Sequence, residues 1–151
     1  MDWMTEFPSR LLSRCPYFIS FPFFFNSLVV AELQKLYRDR GFSVLAFPIS
    51  DFHQELGSNE DILSYVQENF PQVDFPLFGL NSLEKSPVYQ SIQKQKPEVI
   101  VRWNFFKFLV DRNGQVVEVF DLKVNPLKLT DRIEDLLSKD LDRLGQKLVM
   151  S

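Results

Sequence analysis

The sequence contains a single cysteine, Cys15, and a single histidine, His53. One cysteine excludes an internal disulfide, an intramolecular two-cysteine redox cycle and a cysteine-rich zinc site. One histidine leaves any His-based metal site or Ser-His-Asp triad hanging on His53 alone. Such sites make strict geometric demands, so a loop histidine is the simpler reading. Neither sign of charge dominates: 17 basic residues face 20 acidic ones, a net charge of −3, which gives no electrostatic case for a nucleic-acid partner. Long apolar runs are also scarce. The longest, Cys15–Ala31, is broken by Pro16, Pro22 and Asn26 and is short for a membrane span. What remains is ordinary for a globular chain, with 45% apolar and 25% charged residues in a length of 151. That length suits one compact domain with a sizeable core. Phenylalanine is the exception, with 16 residues, five of them at Phe18, Phe21, Phe23, Phe24 and Phe25.

The pattern divides the chain into an atypical segment, 1–27, and a regular domain, 28–151. Three readings of the first segment stand side by side. Basic Arg10 and Arg14 before an apolar stretch, with small residues Val29 and Ala31, resemble a signal peptide. The same stretch resembles a short signal anchor, giving membrane association through 15–31. A Phe/Pro/Ser-rich run is also what a pyrimidine tract before a splice site yields when translated in an imperfect gene model. The third reading is preferred, because the helix that follows needs residues that signal cleavage would remove. Cytoplasmic location is then expected; a genuine signal would make the chain secreted or membrane-anchored.

After residue 28 the periodicity is regular. Val29, Leu33, Leu36 and Tyr37 recur at helical spacing, and Gly41 ends that helix. Phe42–Phe47 reads as a buried strand stopped by Pro48, with a loop over Ile49–Gly57. Ser58 with Asp61 three residues on is a capping box for a helix reaching Phe70. Asp74–Phe78 is expected as a strand, Pro87–Lys94 as a short helix and Val99–Val110 as a longer strand. Asn113-Gly114 marks a hairpin turn into Gln115–Phe120. The last helix, Thr130–Lys147, lays Ile133, Leu136, Leu137, Leu141 and Leu144 on one stripe. Helical crossovers followed by a hairpin and a closing helix imply an α/β sheet covered on both faces.

Four stretches, in order, resemble the glutathione peroxidase family. They are Leu45-Ala46-Phe47-Pro48 with Phe52; Gln54-Glu55-Leu56-Gly57-Ser58-Asn59-Glu60; Phe75-Pro76-Leu77-Phe78; and Trp103-Asn104-Phe105-Phe106-Lys107-Phe108-Leu109-Val110-Asp111. The resemblance, strongest from about Glu32 to Leu137, implies a thioredoxin-like fold of the glutathione peroxidase type, a sheet flanked by helices. The family's N-terminal strand would fall in the Phe-rich segment, so it is expected to be missing or atypical. The implied chemistry is reduction of a hydroperoxide by a thiol or selenol in defence against oxidative stress. Glutathione or thioredoxin would be the reducing co-substrate, and no metal or bound cofactor is needed. The short segment between Gln90 and Trp103 is similar to that of the monomeric subclass.

The resemblance implies a site as well. The family surrounds its sulfur or selenium with N–H donors from a Gln, a Trp and an Asn, which stabilise the anion without adding negative charge. Trp103 and Asn104 match two of these positions. Asp51 stands where the Gln belongs, and an ionised Asp only accepts hydrogen bonds and repels a thiolate. Counting back without gaps from Tyr37 places the nucleophile position at Ser20, for which no activating base is evident. Cys15 lies five residues earlier and would serve only with a rearranged N-terminus. Val66 occupies the resolving-cysteine position of the thioredoxin-dependent subclass. A peroxidase-family protein that is impaired or incomplete is therefore expected. A specific variant is a true selenocysteine whose codon was read as a stop, leaving a spurious N-terminus. The alternative is a non-catalytic binding or regulatory module on the same scaffold.

Overall fold

A computed structural model describes residues 17–20, 27–53 and 55–149. Four strands form one sheet in the order β2-β1-β3-β4. β1 (Tyr17–Ser20) lies parallel to β2 (Ser43–Ala46) and antiparallel to β3 (Lys107–Val110), which in turn pairs antiparallel with β4 (Val116–Phe120). Helix α1 (Ser27–Tyr37) makes the crossover that a parallel β1–β2 pair requires. Helices α2 (Asn59–Asn69), α3 (Pro87–Gln95) and α4 (Thr130–Val149) complete the order. The N-terminal strand, expected to be missing or atypical, is present and drawn from the Phe-rich segment. It pairs on both sides, which puts it in the interior of the sheet.

The alternation of each strand decides which helices it meets. Val44 and Leu109 face one side, packing with Val30 and Leu33 of α1 and Ile133, Leu136 and Leu137 of α4. Leu45, Phe108 and Val110 face the other, against Val88 and Ile92 of α3. Local chemistry sets the ends of the elements. Gly41 (φ 87°) turns the chain out of the helical segment before β2. Ser58 caps α2 by accepting from Asp61 N at 3.1 Å, and its hydroxyl donates to the Asp61 carboxylate. Gln95, at the end of α3, accepts from Val116 N at 2.8 Å and donates to Gly114 O at 3.0 Å. Its amide thereby occupies backbone groups at the start of edge strand β4.

Two sequence expectations are corrected. Asp74–Phe78 is not a strand: only Leu77 bridges, parallel to Ala46. Pro76 lacks an N–H, and its carbonyl accepts from Ala46 N instead. The strand expected over Val99–Val110 begins only at Lys107. A turn at Trp103–Phe105 interrupts it, with Phe105 in the left-handed region at φ 73°. The hairpin forms as expected, though a register shift between Leu109 and Val110 accompanies it. Asp111 organises its turn by accepting from Asn113 N and Gln115 N, and Gly114 takes the positive φ of 79°. Among the described residues no helix is long and apolar enough to cross a membrane. Leu141 and Leu144 lie on α4, but their side chains are outside the described set, as is Cys15.

Candidate functional site

Strand direction brings the expected site residues to one rim of the sheet. Parallel strands β1 and β2 end there, and antiparallel β3 begins there. Ser20 is the last residue of β1, in register with Ala46 on one side and Lys107 on the other. Asp51 follows β2 in a 3₁₀ turn over Ser50–Phe52, closed by His53 at φ 52° with its N–H on Ser50 O. His53 is thus a loop residue, in the left-handed position that ends the turn. Trp103 and Asn104 lie immediately before β3.

The two loops touch. The rings of Phe52 and Trp103 stand 5.5 Å apart, tilted by 37°. Trp103 keeps 42% of its surface exposed at the rim, whereas Asn104 is completely buried. Asn104 is therefore placed by the interior and Trp103 by its contact with Phe52. Asp51 is exposed, and its Oδ2 accepts from Leu83 N at 2.9 Å. It serves as an acceptor for the Asn81–Leu83 segment, which also receives Ser50 N–H at Asn81 O. An ionised carboxylate here offers no hydrogen-bond donor. Val66 lies on α2, packed against the cluster of Ala46, Ile62 and Leu77.

Two ionisable side chains of this region escaped the sequence reading. Lys107 is completely buried, and its Nζ donates to Phe105 O at 2.8 Å and Asp121 O at 3.4 Å. Burial lowers its pKa to about 8, against the opposing pull of the Asp121 charge. Glu55, in the loop that carries Asp51, has one carboxylate oxygen buried without a hydrogen bond. Desolvation raises its pKa to about 7. A sequence signal for Lys107 did exist. It sits among Phe106, Phe108, Leu109 and Val110, and strand alternation gives it the same face as buried Leu109.

The sheet order and its helical layers define a thioredoxin-like protein. The crystal structure of T. cruzi GPX1 superposes with a TM-score of 0.63 at 22% identity, covering 87% of this chain and 88% of that one. Sequence narrows the class. The family model described as glutathione peroxidase matches residues 24–93. The glutathione peroxidase-like peroxiredoxin HYR1 of Saccharomyces cerevisiae is 38% identical over 115 residues, spanning 71% of this chain and 70% of that protein. Probable glutathione peroxidase 5 of Arabidopsis thaliana is 35% identical over 123 residues, spanning 77% and 70%. The chain belongs to the glutathione peroxidase family.

Proposed function

We propose that this protein has the architecture of a thiol-dependent hydroperoxide reductase of oxidative-stress defence. It keeps the donor half of the site and, with serine at 20 and aspartate at 51, lacks the sulfur half. The observation that carries this reading is the joint placement of Trp103 and Asn104 at the rim where β1 ends at Ser20. In the complete reaction a thiolate attacks the peroxide oxygen. The O–O bond breaks, a proton passes to the departing alcohol, and the sulfur becomes a sulfenic acid. Two external thiols then return it to the thiol, releasing water and a disulfide. N–H donors at Trp103 and Asn104 suit the anion on either side of that exchange. A serine hydroxyl has no such redox chemistry.

Glutathione or thioredoxin is the reductant this reading names, with a hydroperoxide as substrate. The short connection from α3 to Trp103 supports a monomer. The peroxidase-like domain is taken as 28–151, with 1–27 the atypical segment that contributes β1, and the compartment as the cytoplasm. The bonding of Asp51 to Leu83 N favours a second reading, a non-catalytic binding or regulatory module, since the position has become a structural acceptor.

A coupled assay with cumene hydroperoxide and either reductant tests the proposal. The full chain is expected to show no turnover above background, and Ser20→Cys combined with Asp51→Gln is expected to gain it. In that background Trp103→Phe should remove at least tenfold, the usual scale for losing one preorganised donor being ~10²–10³. Turnover by the unsubstituted chain that disappears with Cys15→Ser would assign the sulfur to Cys15 and sink the proposal. Failure of the double variant to gain turnover while folded favours the binding module.

A further inference from the structure

We infer that Lys107 is a positioning residue for the Trp103–Asn104 pair: its buried ammonium grips the Phe105 carbonyl and so fixes the turn that presents both side chains at the rim. The inference rests on reading Trp103 and Asn104 as the donor pair.

Lys107 is completely buried at the start of a strand whose other residues, Phe108, Leu109 and Val110, are buried and apolar. By strand alternation it shares a face with Leu109, and in register it lies between Phe120 of β4 and Ser20 of β1. Hydrophobic packing alone would favour an aliphatic residue here, because a buried ammonium gives up its hydration. What a lysine adds is three hydrogen-bond donors on one atom. Two of them reach main-chain carbonyls, those of Phe105 at 2.8 Å and Asp121 at 3.4 Å. These carbonyls belong to the turn before β3 and to the loop after β4.

The choice of Phe105 as acceptor is informative. Phe105 is one of two described non-glycine residues with positive φ, at 73°. An aromatic residue enters that region only when its neighbours hold it there. A charge-assisted bond to its own carbonyl is such a restraint. Asn104 and Trp103 directly precede it, so their backbone direction follows from that of Phe105. Trp103 then carries the restraint across to the Asp51 loop through its contact with Phe52. Lys107 is also the residue in register with Ser20, where β1 arrives at the rim.

Fluorescence of Trp103 tests this in full-length protein carrying Trp3→Phe, which leaves Trp103 as the sole tryptophan. Lys107→Met keeps the length and removes every donor; Lys107→Arg keeps donors and charge. With far-UV circular dichroism unchanged, Lys107→Met should red-shift the Trp103 emission and raise acrylamide quenching about twofold, while Lys107→Arg restores both toward the parent. A folded Lys107→Met protein with parental emission and quenching overturns the inference, as does a Lys107→Arg protein that behaves like it. If Lys107→Met does not fold, ¹⁵N-lysine NMR of the unsubstituted chain decides. A slowly exchanging Lys107 Nζ–H resonance with cross-relaxation to Phe105 supports the clamp, and its absence refutes it. Neither readout involves turnover, so an inactive parent leaves this inference standing.

Discussion

Glu55 and Lys107 carry opposite charges, yet the same cause moves both toward neutrality: each is withdrawn from water. Their effects on stability run with pH in ways that can be separated. Glu55 has a folded pKa of about 7 against an ordinary 4.5. Below 4.5 both folded and unfolded chains hold its proton. Between 4.5 and 7 the folded chain binds more protons, so stability falls as pH rises through that window. Lys107, lowered to about 8 from 10.5, acts at the other end. Its contribution is present above 10.5 and is lost as pH falls toward 8. Urea titrations at pH 4.5 and 7.5 should therefore show Glu55→Gln gaining on the parent as pH rises. An identical pH dependence in the two proteins would show that the Glu55 carboxyl is solvated. The Phe105 backbone carries a cost of about 1–3 kcal/mol for its left-handed conformation. A charged hydrogen bond to its carbonyl is of the same size, about 1.5–3 kcal/mol, so one Lys107 contact is enough to hold it.

At the scale of elements, turn chemistry separates glycines that are needed from those that are not. Gly114 has open space around its Cα but a φ of 79°, whereas Gly57 has the same open space and no positive φ. Gly114→Ala should destabilise the hairpin by about 1 kcal/mol through conformation alone. Gly57→Ala should be neutral or stabilising by up to about 1 kcal/mol, because it restricts the unfolded chain. Thermal melts of the two variants test the contrast, and equal losses would show that the positive φ of Gly114 carries no added cost. Side chains also stand in for strands. Gln34 is buried, and its Oε1 accepts from Val44 N at 2.7 Å. Gln95 does the same for Val116 N of β4. Neither glutamine stands out in a helical pattern, since a polar residue there ordinarily faces water.

The whole molecule is a thin sheet whose two faces are covered by different helices, so its stability depends on residues that join layers. Ile133 of α4 and Leu33 of α1 are both completely buried in the cluster that contains Val44 and Leu109. Ile133→Ala should cost about 2–5 kcal/mol, a large share of the roughly 5–15 kcal/mol available to a domain. A lowered urea midpoint at unchanged m-value would confirm it; a loss under 1 kcal/mol would mean the layer repacks. The ion pairs between elements, Arg40–Glu134 at 2.7 Å and Arg132–Glu118 at 2.6 Å, lie on exposed surface and fix register more than stability.

The sequence by itself determined the elements whose signals are local. α2 came from its cap at Ser58 and Asp61, the hairpin from Gly114, α4 from its stripe, and the family from Trp103-Asn104-Phe105 with Phe47-Pro48. It also determined that one cysteine is all the thiol chemistry available. Only the tertiary structure decided that Tyr17–Ser20 completes the sheet, because a strand of four residues is specified by its two neighbours and not by its own pattern. Only the structure delayed the start of the strand expected from Val99 to Lys107, because the left-handed Phe105 has no signature in residue type. And only burial in the folded chain turned the lysine of an apolar run into a clamp on the turn that carries Trp103 and Asn104. Burial is a property of what packs above a residue, and that information lies elsewhere in the chain.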